Sequence, residues 1–451
     1  MNRNLKKALA LMLGAVLTAS LAVPAMAADI STLEGWGEAI KGEFDGTTIT
    51  VPKASHPSTE AFQEMVGEFT DLTGINVVWD IVEETNLKSK QLLDAQGAGS
   101  YDVFMVDAFW MSEYASKGVL EPIENYAGDP EKTPEWFDYD DIMTAYRDGI
   151  AGAGGVNYGI PTAGETRFIA YRTDLFEKYE KEPPKTMDEF LELAQFFNGK
   201  EDGLYGVSMR AQSGIHFASG WMSLMYNFGG GFIDQSTIGT DNEVITCNTE
   251  ETKESLKFYL DLMACAPPDV STYTHEEALS AFTSGKTAMW LDATALANQI
   301  TDPDSSVVAD CVGFVPTPTG PAGDGAALAG WNLGIPTSSS NKDAAWAFIC
   351  FMASKEKAPD YVAYGGVATR ASVFENEELQ ANNPSYEAQK AALEAAAGLV
   401  DKGLSWIPQH DSINQMLEVA GRYGCSALTG EITFDEAIDG MQKDLEDIVN
   451  Q

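Results

Sequence analysis

"TTITVPKASHPSTEAFQEMVGEFTDLTGINVVWDIV", residues 47–82, carries the fold in miniature. Its opening, 47–54, is rich in β-branched residues and predicts a strand. From Thr59 the apolar residues change period. Phe62, Met65, Val66 and Phe69 fall on one face of a helix, with Ser58 as the expected cap and Gly74 as the stop. "INVVWDIV" (75–82) reads as the next strand. Further on, "YDVFMVD" (101–107) is another strand, and "AFWMSEYASKG" (108–118) a short helix ended by Gly118. Strand and helix in alternation predict α/β layers.

The same grammar recurs downstream. Thr186 with Glu189, Asn248 with Glu251 and Thr274 with Glu277 each read as a capping box. The stripes behind them are Phe190, Leu193, Ala194 and Phe197, then Leu256, Tyr259, Leu260 and Met263. Such stripes fill cores and carry no chemistry. Two stretches read as linkers: "PTAGET" (161–166) and the Pro/Gly-rich "PTPTGPAGDGAA" (316–327), about 150 residues apart.

Residues 1–27 predict a cleaved export signal: Arg3, Lys6 and Lys7, an apolar run from Ala8 to Val23, then Ala25-Met26-Ala27 as the cleavage site. A periplasmic protein follows from it. The whole chain has 28 Lys+Arg against 68 Asp+Glu. Without the three bases of the leader, 25 against 68 leaves −43. Such a surface repels nucleic acid and anionic membrane. The five cysteines form no C-x-x-C pair, and no His/Cys spacing suggests a metal. Cys247 and Cys265 flank a helix too long for a direct bridge between its ends.

No P-loop, G-x-S-x-G elbow or H-E-x-x-H motif is present, so no catalytic residue, metal or cofactor is expected. Carboxylate pairs are uninformative among 68 acids. A different set stands out at the C-terminal ends of the expected strands, where open α/β sheets bind ligands. His56 follows the first strand, Asp107, Phe109 and Trp110 follow "YDVFMV", and Asp292 follows "KTAMWL". Trp331 sits after Gly330 near the start of a strand, beside the second linker. It is either a flat surface for a sugar ring or a core residue, and the two readings predict different losses on truncation. Aromatic faces suit the C–H faces of a sugar, while carboxylates and amides suit its hydroxyls.

The chain resembles the extracellular solute-binding proteins of ABC sugar importers across nearly all its length after the leader. Four blocks carry the resemblance, in order: "YDVFMVDAFWMSEYASKGVLEPI" (101–123), "YGIPTAGETRFIAYRTDLFEKYEKEPPKTMDEFLELA" (158–194), "ALSAFTSGKTAMWLD" (278–292) and "AGWNLGIPTSSSNKDAAWAFICFMASKE" (329–356). "APPDVSTYTHEEALSAF" (266–282) and "DPDSSVVADCVGFVPTPTGPAG" (302–323) are similar to the branch that takes polyols, trehalose-like disaccharides and other neutral sugars. The resemblance implies two α/β lobes, each with a mixed central sheet, joined by a hinge. The first is expected over 29–162 and 326–369, the second over 163–325 and 370–451. It implies ligand contacts at His56, Asp107, Phe109, Trp110, Glu165, Thr166, Arg167, Asp292, Trp331 and Arg370, and more remotely at Glu84 and Trp221. It also implies a monomer that hands its sugar or polyol to a membrane permease. The acids and aromatics equally fit a cationic solute such as a polyamine, and a secreted glycosidase is the third reading.

Overall fold

A computed structural model describes residues 29–400 and 402–450. The expected leader, 1–27, lies outside them. Before the crossover the chain forms β1 (Thr48–Lys53), β2 (Asn76–Ile81), β3 (Phe104–Asp107), the short hairpin β4 (Gly152–Ala153) and β5 (Val156–Asn157), and β6 (Ile160–Glu165). β7 (Arg167–Arg172), β8 (Tyr205–Ser208), β9 (Thr287–Ala293) and β10 (Val312–Pro316) build the second lobe, and β11 (Ala329–Gly334) returns to the first.

β1 and β2 are parallel, from Thr48 opposite Asn76 to Lys53 opposite Ile81, with helix Pro57–Thr73 between them in sequence. The predicted face of that helix holds, with Phe62, Met65 and Phe69 buried and Gly74 left-handed at its end. The cap is His56, not Ser58. Pro57 has a preset φ and no N–H to satisfy, so the helix starts there, and the His56 ring accepts the Ser58 N–H. β11 lies between β3 and β6, antiparallel to both. Asp102 holds β1 beside this group: its N–H donates to Thr50 O and its carboxylate accepts from Thr50 N, each at 2.9 Å. The second sheet runs β10-β7-β9-β8, with β7 antiparallel to both neighbours and β8 parallel to β9. The second lobe thus has one mixed sheet, while the first sets a parallel pair beside an antiparallel trio.

The first expected linker is a strand. β6 runs unbroken to Glu165, and Thr166 alone separates it from β7. The first sheet thus reaches past residue 162. The second linker leaves β10 as irregular chain, as its prolines and glycines predict. Thr186 and Thr274 form complete capping boxes, whereas Thr249 replaces Asn248 as the cap of helix Glu250–Met263. The serine-rich turn before helix Lys342–Met352 supplies no side-chain cap. Ser339 Oγ accepts from Asn341 N and donates to Asp102 instead. All five cysteines are free. Among the described residues no helix is long and apolar enough to cross a membrane.

Gly330 explains how β11 fits. Its φ is 145°, and a Cβ there would lie 1.9 Å from the Ala163 carbonyl oxygen. Only glycine permits that approach. The β11–β6 register then shifts between Trp331 and Asn332, whose amide donates to Ile150 O at 3.0 Å.

Candidate ligand-binding cleft

A cleft of about 490 Å³ opens where the two sheets meet. His56 follows β1, Asp107 ends β3 and Glu165 ends β6, so each reaches the cleft from a strand's C-terminal end. Trp331 begins its strand but faces the same way, because β11 is antiparallel and pairs Trp331 with Asp107. Glu84, at the N-terminus of helix Glu84–Gln96, completes an acidic wall. The second lobe contributes Arg167, Arg210, Ser219, His275 and Glu276.

Strand alternation sorts the crossover residues. Glu165 and Arg167 are two apart in extended chain and share a side, while Thr166 points away. Both charged residues line the cleft, and Thr166 does not. Its backbone N–H donates to Thr294 Oγ1 at 3.1 Å.

His56 has a fixed tautomer. Its Nδ1 lies 3.1 Å from Ser58 N, and a backbone N–H can only donate, so the neutral ring carries its proton on Nε2. Nε2 is 3.2 Å from Glu165 Oε1 and donates to it. Burial pushes the Glu165 carboxyl up, but this hydrogen bond and the charges of Arg167 and Arg210 outweigh it and hold the group below its ordinary value.

Asp292 is 1 % exposed and sits behind the cleft wall rather than in it. Arg210 Nε donates to its two oxygens at 3.0 and 2.7 Å, and Arg167 pairs with the same carboxylate. Arg167 also donates to Ser219 Oγ at 3.0 Å. Burial lowers the proton affinity of both guanidiniums. One interior carboxylate thus orients two donor forks toward the cavity.

The acids opposite are poised differently. Burial pushes Asp107 up to about 8, against a hydrogen bond from Phe109 N, with Glu84 and Glu165 adding to the rise. Burial raises Glu84 too. Desolvation drives His275 down to about 2, so it is neutral. For Asp107 the folded state holds a proton that the unfolded chain has lost between about pH 4 and about pH 8. Stability therefore falls as pH rises through that window. Melting temperatures measured across it should show this fall, and Asp107→Asn should flatten it. A variant with the same slope as the parent would exclude Asp107 as its source.

The aromatic floor is Trp331, 6 % exposed, with Trp110 edge-on at 5.5 Å and the His56 ring at 5.9 Å. Phe109 also lines the cleft and meets Trp406 of the second lobe at 5.5 Å. Of the residues expected from sequence, His56, Glu84, Asp107, Phe109, Glu165, Arg167 and Trp331 line one cavity. Trp110, Thr166 and Asp292 stand directly behind it.

Two expected contacts lie elsewhere. Trp221 is fully buried in helix Ile215–Met225, its indole N–H donating to Ser255 and its ring edge-on to Phe232. That helix is apolar on nearly every face, so its tryptophan is core. Arg370 is buried against the first lobe, donating to the carbonyls of Ala353 and Asp138 and pairing with Asp141. It ties segments together away from the cleft. Arg210, Ser219 and His275 were missed. Arg210 follows β8 and carries the same strand-end signal as Asp107; Ser219 and His275 carry none.

Fold and cleft together define a protein that holds a small polar molecule between two lobes. Residues 53–359 match the bacterial extracellular solute-binding proteins, and the chain belongs to that family, as a binding protein and not an enzyme. The mannitol-binding protein of Pseudomonas aeruginosa is 27% identical over 421 residues, spanning 88% of this chain and 92% of that protein. The erythritol/L-threitol-binding protein of Mycolicibacterium smegmatis is 28% identical over 357 residues, 74% of each chain. Among solved structures, a solute-binding protein of Agrobacterium vitis S4 with bound D-mannitol superposes with a TM-score of 0.79 at 28% identity, covering 89% of this chain and 98% of that one. The Agrobacterium radiobacter K84 protein in complex with ribitol reaches 0.82 at 23% identity, over 90% and 99%, and shares the two-lobed fold.

Proposed function

We propose that the protein captures a neutral polyol or small neutral sugar in the interlobe cleft and delivers it, as a monomer in the periplasm, to the permease of an ABC importer. One observation carries the reading: the acids Glu84, Asp107, Glu165 and Glu276 and the guanidinium groups of Arg167 and Arg210 line one cavity. Every hydroxyl donates one hydrogen bond and accepts another, so a chain of hydroxyls is matched by a lining that offers both acceptors and donors. Phe109 and the exposed edge of Trp331 supply apolar contact for the C–H faces. The cavity volume falls within the roughly 300–1,000 Å³ of small-molecule sites. The relatives that bind mannitol, erythritol and threitol support the ligand class. A polyamine is disfavoured by these relatives, whose named ligands are uncharged polyols.

In this reading the leader is removed after Ala27, the lobes meet at Thr166, and the solute draws them together only by its higher affinity for the closed form. Micromolar capture corresponds to about −8 kcal/mol. The test is a thermal-shift panel of mannitol, ribitol, erythritol, maltose and spermidine. A cognate polyol at a hundred times its Kd should add about 2.7 kcal/mol of stability. A shift with spermidine and none with any polyol or sugar would overturn the assignment.

A further inference from the structure

A second cavity of about 330 Å³ adjoins the first at Ala295, which lines both. Its walls come from both lobes. Thr294–Asn298 follow β9 of the second sheet, and helix Tyr386–Val400 packs on β7 and β10. Val362–Ala368 belong to the first lobe, since Tyr361 stacks on Phe62 at 5.0 Å and its hydroxyl donates to Thr162 O. At the rim the walls approach closely: a Cβ placed on Gly365 would lie 4.0 Å from Asn298 Nδ2.

The lining differs sharply from that of the cleft. Among the described residues it contains no Asp, Glu, Lys, Arg or His, in a chain with 68 acids. Its polar groups are the amides of Asn298, Asn383 and Gln389 and the hydroxyls of Thr294 and Tyr386. Gln389 and Asn383 are partly committed to Ser385, while the Asn298 side chain is exposed. A charged ligand would find no counter-ion here, and a hydrocarbon would strand the amides. What fits is a neutral molecule bearing several hydroxyls.

We propose that this chamber is a second subsite for a neutral polyhydroxylated unit, next to the charged cleft that holds the first. The proposal rests on the polyol reading of that cleft. Two sources share this chemistry: the distal sugar of a longer ligand that passes Ala295, such as a glycosyl-alditol, and a second free polyol molecule. Calorimetry with mannitol and with maltitol, on the parent and on Asn298→Trp, separates them. Asn298 is exposed, so the indole fills the chamber without disturbing the core. If one long ligand spans both sites, maltitol binds about ten-fold more tightly than mannitol, the increment of a few added hydrogen bonds. Asn298→Trp then removes that advantage and leaves mannitol unchanged. If a second free molecule enters, mannitol titrations show a weaker second event that disappears in the variant. If mannitol binds once and Asn298→Trp alters neither its binding nor the maltitol-to-mannitol ratio, the subsite does not exist while the cleft assignment stands. If neither compound binds the parent, the cleft assignment for polyols fails first and the subsite with it.

Discussion

Asp292→Ala should cost about 3–5 kcal/mol of stability, because it strands two buried guanidiniums without their shared counter-charge. Arg210 and Arg167 both converge on that carboxylate, which is 1 % exposed. β7 and β9 are the two inner strands of the second sheet, and Asp292, next to last in β9, is buried beneath the cleft wall with no water to fall back on. Ligand binding should be lost as well, since the donors would no longer be aimed. Asp292→Asn keeps the shape and one acceptor, and should fall between the parent and alanine. Denaturant unfolding gives the stability change, and calorimetry with mannitol on the folded fraction gives the affinity. An alanine variant with an unchanged denaturation midpoint would show that the arginines do not depend on this carboxylate.

Trp331→Ala should have the second large effect, and on two observables at once. From the sequence, a cleft tryptophan and a core tryptophan are exclusive alternatives, the first costing affinity and the second stability. The structure gives the residue both positions: it is 6 % exposed, wedged against Trp110 and His56, yet it forms part of the cavity surface. The expected cost is about 3–5 kcal/mol of stability from the void, together with roughly ten-fold in affinity from the lost aromatic contact. Trp331→Phe retains a ring and should recover most of both. If alanine lowered the melting temperature while leaving affinity intact, the indole would be core alone.

The sequence made the layers and much of the acidic wall readable because both depend on short-range pattern. A strand end is a local event, and His56, Asp107 and Phe109 were found by it. The donor wall was less readable. Arg210 and Asp292 are 82 positions apart, and no periodicity couples them. Trp221 misled because helix Ile215–Met225 is apolar nearly all round, so the hydrophobic pattern does not separate a core face from a ligand face. Arg370 misled for another reason: a buried arginine with three carbonyl and carboxylate partners serves a fold as readily as a ligand. Ser58 failed by two positions because Pro57 takes the first helical place.

The single-residue crossover at Thr166 has a mechanical consequence. Glu165 and Arg167 belong to different sheets but are next-nearest neighbours in the chain, so their Cα atoms can never part by more than about 7 Å. However far the two halves swing, this acid and this base keep their spacing. Glu84 and His275, tethered through long stretches of chain, are free to separate. The cavity therefore has an anchored end and a swinging end. In the closing motion proposed above, a solute would meet a finished charge pattern at the anchored end, dock one terminus there, and have its remaining hydroxyls collected as the far wall comes round.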